Sequence, residues 1–129
     1  KKLLLSVSDL MLTGEQIPLV TVEQTIREAL FEITAKGLGM VGVVNAEQQL
    51  AGIFTDGDLR RILDQRIDIH DTPIGQVMTQ NPKVIDDNWL AFDALKLMKA
   101  KSINGLFVLN GNTVVGAFNM HTLLQAGVY

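Results

Sequence analysis

Leu50-Ala51-Gly52-Ile53-Phe54-Thr55-Asp56-Gly57-Asp58-Leu59 returns 64 positions later as Val114-Val115-Gly116-Ala117-Phe118-Asn119-Met120-His121-Thr122-Leu123. Working outward from this pair, Pro18 and Val20 recur at the same offset as Pro82 and Val84. Ala29, Leu30, Ile33 and Val43 recur at an offset of 65, as Ala94, Leu95, Met98 and Val108. The offset changes in stretches that read as loops, where insertions are tolerated. A repeat this long, present twice, is one supersecondary unit duplicated once rather than a solenoid of many short units. Two copies that share a core are expected to leave a pseudo-twofold cleft between them, and that cleft is the first place to seek a function.

Each copy reads as short helix, strand, helix, strand, strand, helix. Thr25 followed by Glu28 is a capping box. Ile26, Ala29, Leu30 and Ile33 then form the stripe of an amphipathic helix, which Gly37 ends. Met40 to Val44 and Leu50 to Thr55 are short apolar runs of the kind that become buried strands, joined by a polar hairpin. Asp56 or Thr55 caps the next helix, with Leu59, Ile62 and Leu63 on its inner face. In the second copy Thr72-Pro73 reads as a cap with proline at the first helical position. Ala91, Ala94, Leu95 and Met98 repeat the stripe, with Asp86 and Asp87 before it as loop and cap residues. Leu106 to Leu109 and Val114 to Asn119 form a strand pair around Asn110-Gly111-Asn112, a hairpin signal. Leu123, Leu124 and Ala126 belong to a last helix that Gly127 stops. The expected fold class is α/β (α+β): two β-α-β-β-α repeats, the first over 1–66 and the second over 67–129, packed as one compact module. The polar link from Gln65 to Asp71 is too short to let the halves swing freely.

The 129 residues suffice for a compact domain with a real core, and 47% of them are hydrophobic. A net charge of −3 argues against a nucleic-acid surface, which needs a basic face. Without cysteine there is no disulfide and no thiolate metal site. No apolar run reaches the ~20 residues that span a bilayer. Lys1-Lys2-Leu3-Leu4-Leu5 imitates the start of a signal peptide, but Ser6, Ser8 and Asp9 end the apolar stretch too early. The first residue is not methionine, which fits a segment of a longer chain.

The ordered marks Asp9-Leu10-Met11, Ile17-Pro18-Leu19-Val20, Ile26 to Leu30 and Leu50 to Leu59 resemble a cystathionine β-synthase-type (CBS) domain. Val77-Met78-Thr79, Pro82-Lys83-Val84 and Val114 to Phe118 supply a second one, so the whole chain resembles the tandem pair known as a Bateman module. Gly37-Leu38-Gly39-Met40, Gly52 to Arg61, Met120-His121 and Leu123 to Val128 are further similar to the C-terminal module of bacterial D-arabinose 5-phosphate isomerases. The resemblance implies a non-catalytic sensor of adenosine-type nucleotides or related ligands. It further implies a parent isomerase whose catalytic residues lie outside this chain, working in the bacterial cytoplasm to supply precursor for the sugar acid Kdo and so for lipopolysaccharide. It implies a homodimer formed through the helices, a tetramer being one form open to the parent, and no partnership with nucleic acid or membrane. The alternative is an assembly module that binds no ligand.

Thr55-x-x-Asp58, where a strand hands over to a helix, is the sharpest constellation. A helix N-terminus offers N–H groups to an anion, and a carboxylate matches a vicinal diol. The resemblance implies that use: Asp58 for a ribose diol, Thr55 for phosphate, and Arg60 and Arg61 to balance phosphate or carboxylate charge. The structural alternative is that Thr55 and Asp58 merely cap the helix and the arginines are solvated. Ile17, Leu19 and Met40, within the same family marks, are further candidate ligand contacts. The second copy departs from the pattern, with Asn119 and Thr122 at the matching positions. Asn119 and His121 remain candidates for a sugar or acid group there. Since a sensor on a committed enzyme should read the end product, CMP-Kdo is the first candidate ligand and an adenine nucleotide the second; no cofactor is expected.

Three motifs are set aside. Gly37 to Gly42 matches G-x-G-x-x-G but follows a helix and enters a strand, the reverse of a dinucleotide fingerprint. Asp56-Gly57-Asp58 lacks the later acidic positions of a calcium loop. His70 and His121 lack partners at zinc-ligand spacing.

Overall fold

The computed structural model describes residues 4–129; Lys1, Lys2 and Leu3 of the opening apolar stretch lie outside it. The elements in chain order are β1 (Leu19–Thr21), α1 (Ile26–Lys36), β2 (Met40–Val44), β3 (Leu50–Thr55), α2 (Asp56–Leu63), β4 (Thr79–Gln80), β5 (Val84–Asp86), α3 (Ala91–Lys101), β6 (Gly105–Asn110), β7 (Thr113–Asn119) and α4 (Met120–Gln125). Single 3-10 turns at Val7–Asp9 and Ile74–Gln76 lie near the starts of the two repeats, with another at Gly14–Gln16.

The chain divides into two compact units, and the division is not the one between the sequence copies. One unit is Pro18–Pro82; the other joins the segment up to Ile17 with Lys83–Tyr129. The segment leading into each copy therefore folds onto the sheet of the other. The reason lies at the sheet edges. In the first unit β1 runs parallel to β2, β3 antiparallel to β2, and β4 closes the free edge of β3 by pairing Gly52 with Gln80 and Ile53 with Thr79. In the second unit β5, β6 and β7 repeat the parallel–antiparallel order. There the edge of β7 is met by Leu12, which exchanges both backbone hydrogen bonds with Ala117 at 2.8 and 3.1 Å. An edge strand with unpaired N–H and C=O groups is a liability, and each copy borrows a few residues to satisfy it.

Glycine sets how closely these borrowed segments approach. A Cβ on Gly52 would lie 2.6 Å from the carbonyl oxygen of Thr79 and 2.7 Å from the sulfur of Met78. At Gly116 the space is taken by the side chain of Met11.

The helices form where the stripes place them. Thr25 and Glu28 make a reciprocal capping box, and Gly37 ends α1 in the left-handed region at φ 75°. Ser102 holds the matching position after α3 at φ 55°. Apolar faces pack on their sheets: Ile26, Ala29 and Ile33 with Phe54 in one unit, Ala91, Ala94, Leu95 and Met98 with Phe118 in the other. Both β2–β3 and β6–β7 carry an irregularity in register, after Val43 and Val108 respectively. The return of the offset from 65 to 64 lies in the hairpins just beyond, at 45–49 and 110–113. Gly111 enters the second hairpin at φ 62°, a conformation L side chains avoid.

Several local expectations are corrected. Pro73 is itself the N-cap of its 3-10 turn and Thr72 makes no cap; instead the Thr72 carbonyl accepts the N–H of Ile26 at 3.0 Å. Leu90, not Asp86 or Asp87, is the N-cap of α3. Asp87 accepts a hydrogen bond from the Asn110 amide at 3.0 Å. Leu63 and Leu124 face outward, 61% and 48% exposed. Ile67 and Ile69, in the supposedly polar link, pack against the first core.

Candidate ligand-binding site at the β3–α2 junction

β3 ends as α2 begins, so Thr55 is both the last strand residue and the helix N-cap. Its extended backbone (φ −119°, ψ 169°) turns the side chain back over the first helical turn. The Thr55 hydroxyl accepts the N–H of Asp58 at 3.2 Å, and the Asp58 carboxylate accepts the N–H of Thr55 at 2.9 Å through Oδ2. Asp58 is 5% exposed and is the sole buried charged residue among those described. A carboxylate taken from water needs compensation. It comes from the helix N-terminus, from the Thr55 N–H, from the Thr79 hydroxyl 3.4 Å from Oδ1, and from an ion pair between Oδ1 and the Arg61 guanidinium. Arg61 lies one turn along the same helix and is itself largely exposed.

The β7–α4 junction has the same shape with other atoms. Asn119 caps α4; its Oδ1 accepts both the N–H and the hydroxyl of Thr122 at 2.9 Å, and the Asn119 N–H donates to that hydroxyl at 3.4 Å. This junction has no charge on its cap pair, and His121 beside it is exposed.

The candidate residues thus separate. Thr55, Asp58 and Arg61 meet at one junction, and Met40 is the sheet neighbour of Thr55, although its side chain is 3% exposed. Arg60 is on α2 but exposed. Leu19 pairs with Gly42 in β1–β2 and lines a hollow of about 660 Å³ with Leu30 and Phe31. Ile17, Asn119 and His121 belong to the other compact unit, and Ile17 is buried. A second hollow of about 490 Å³ is lined by Arg61, Gln65, Thr72 and Gln76 among others. Neither hollow is lined by Thr55 or Asp58. Thr79 is the member that residue reading missed. It stands within the Val77-Met78-Thr79 mark, but only the pairing of β4 with β3 carries it to Asp58, 21 residues away.

Chemically the junction is an acceptor with a fixed position. Its buried carboxylate can take hydroxyl donors, the Thr55 hydroxyl keeps its proton for an acceptor, and the first-turn N–H groups favour an anion. Among the described residues no group of three or more His, Asp or Glu could hold a metal ion, and no helix is long and apolar enough to cross a membrane.

A family model for the CBS domain matches residues 7–65 and 74–129. The arabinose 5-phosphate isomerase KdsD of Pseudomonas aeruginosa is 48% identical over 99% of this chain, and that of Yersinia pestis 44% identical over the same share. The chain spans only 40% and 39% of those relatives' lengths. Among solved structures, CBSX2 in complex with AMP has the same fold, with a TM-score of 0.79 and 20% identity over 95% of this chain and 96% of that one.

Proposed function

We infer, because this chain belongs to the CBS domain family, that it is a regulatory module binding a nucleoside 5′-phosphate or nucleotide sugar at the β3–α2 junction. The single observation that carries the reading is Asp58, a carboxylate held 5% exposed at the start of a helix. Burying it uses up helix dipole, backbone and arginine compensation that a simple cap on the surface does not require. In this reading Asp58 accepts the ribose hydroxyls, while the Thr55 hydroxyl and the α2 N-terminus receive the phosphate. AMP is the ligand of the structural neighbour CBSX2, which supports an adenine nucleotide. CMP-Kdo presents the same diol and phosphate and adds a carboxylate for Arg60 or Arg61. Asn119 and His121 form at most a weaker, uncharged counterpart.

The parent protein in this reading is a cytoplasmic arabinose 5-phosphate isomerase, given 44–48% identity to two-fifths of such enzymes. Its catalytic domain lies outside these residues, and the chain alone is expected not to interconvert ribulose and arabinose 5-phosphates. A second reading, assembly without a ligand, is favoured by the outward leucines Leu63 and Leu124 on α2 and α4, which suit contact with a second copy. Calorimetry separates the two. AMP and CMP-Kdo are titrated into the chain and into Asp58→Ala, which is expected to weaken binding by about 1.5–3 kcal/mol, the usual worth of hydrogen bonds to a charged group. Absence of binding below millimolar concentration hands the case to assembly, and unchanged binding in the variant moves the site elsewhere.

A further inference from the structure

Asp58 has no room for a diol while its present partners stay. A carboxylate offers about four lone-pair positions. Three are taken, by the Thr55 N–H on Oδ2 and by Arg61 and the Thr79 hydroxyl on Oδ1. A vicinal diol brings two donors, so one resident donor must leave. The Thr55 N–H is fixed by the backbone of the cap, and Thr79 is held beside Oδ1 by the pairing of β4 with β3. Arg61 is the resident with both freedom and alternatives: its side chain is 67% exposed, and it also lines the hollow whose wall carries the polar groups of Gln65, Thr72 and Gln76.

We propose that Arg61 is a selectivity residue that closes Asp58 to neutral diols and opens it to diols that carry an anion. The proposal rests on the nucleotide reading above. In this arrangement the guanidinium neutralises the buried carboxylate. A neutral nucleoside that displaces it returns a cation to solvent and replaces a charged donor by two uncharged ones, a poor exchange. A nucleotide gives the displaced guanidinium a phosphate as its new partner, and guanidinium–phosphate pairing is the stronger, forked kind. The discrimination thus comes from exchange of one anion for another at Arg61, with Asp58 contacting ribose in both cases. Nothing comparable is built at the second junction, where the residue one turn past Thr122 is Gln125.

The test compares adenosine and AMP as probes, by calorimetry, on the wild-type chain, Arg61→Ala and Arg61→Lys. Removing the resident cation is expected to tighten adenosine by about fivefold, the size of an ion pair with one exposed partner. AMP is expected to stay level or weaken, so that the preference for AMP over adenosine collapses. Arg61→Lys is expected to restore part of the preference, since it keeps the charge without the fork. Adenosine binding that appears only in Arg61→Ala supports the proposal equally. A preference unchanged in Arg61→Ala, or adenosine weakened along with AMP, overturns it. The wild-type chain supplies a reading independent of any variant: raising salt should tighten adenosine while weakening AMP, and parallel weakening of both counts against the proposal. If neither probe binds any of the three proteins, the adenine-nucleotide form of the reading fails and the Arg61 proposal with it; binding with an unaltered preference fails the Arg61 proposal alone.

Discussion

At the β3–α2 junction four polar residues converge, Thr55, Asp58, Arg61 and Thr79; at β7–α4 their places in the repeat hold Asn119, Thr122, Gln125 and Leu12. Both sets cap a helix through the same reciprocal pair of hydrogen bonds. Both strands place a fully buried phenylalanine one residue before the cap. The difference lies in charge and polarity. In the second junction the carboxylate, the arginine and the cross-strand hydroxyl have gone together, as expected if each was there to compensate another: without Asp58 there is nothing for Arg61 or Thr79 to satisfy. Capping constrains shape and is met by either pair. A charged, buried acceptor is not needed for capping, and it is restricted to one copy.

The comparison is tested first at the matching phenylalanines of the two cores. Phe54→Ala and Phe118→Ala each remove a fully buried ring and are each expected to lower unfolding stability by about 3–5 kcal/mol in denaturant melts. A loss under about 1 kcal/mol at either would mean that the two copies are not packed alike. The close-approach glycines should then separate them. Gly52→Ala meets the Thr79 backbone and is expected to fall near the top of the ~1–3 kcal/mol range for overpacking, with displacement of β4 from β3. For Gly116→Ala the nearest atoms all belong to the flexible Met11 side chain, and the loss should fall near the bottom of that range; equal losses would contradict the distinction.

At the helix ends the copies exchange advantages. Ser102 occupies the left-handed position that Gly37 fills in the first copy, so Ser102→Gly is expected to stabilise by about 1 kcal/mol in the same melts. A neutral or destabilising result would mean that the serine side chain has a compensating role. The smallest effect is acid dependence at the caps. The Thr25 N–H, with the Gln24 and Thr25 side chains, holds the Glu28 carboxyl below its ordinary value of 4.5. A carboxylate favoured by folding contributes its stability above that ordinary value and loses it as pH falls through the depressed one. The amide signals of Thr25 and Glu28 should therefore move in acid, below about pH 4.5. Those of Leu90 and Ala91 should not follow, since α3 has no side-chain cap.

Most of the fold was legible because repetition tests every local reading twice. The α1 capping box, both strand pairs and the Thr55 and Asn119 junctions follow from residue type and spacing alone. Errors fell where a residue's neighbours come from elsewhere in the chain. Thr72-Pro73 carries the signature of a helix start, yet the Thr72 carbonyl is used by Ile26. Leu63 continues an apolar stripe, yet α2 ends with it and its side chain is exposed. Of the candidate site, Thr55, Asp58 and Arg61 were readable as a helix-start cluster, and Thr79 was not.

The sequence by itself determined the duplicated unit, the element types and the handover from strand to helix at Thr55, because these depend on side-chain period, turn chemistry and capping within a few residues. Only the tertiary structure decided which segment closes which sheet, with Thr79 and Gln80 on β3 and Leu12 on β7. It likewise decided that the Asp58 carboxylate is buried with its acceptor positions nearly filled. Edge pairing and burial depend on what the rest of the chain leaves unsatisfied, and no local pattern records that.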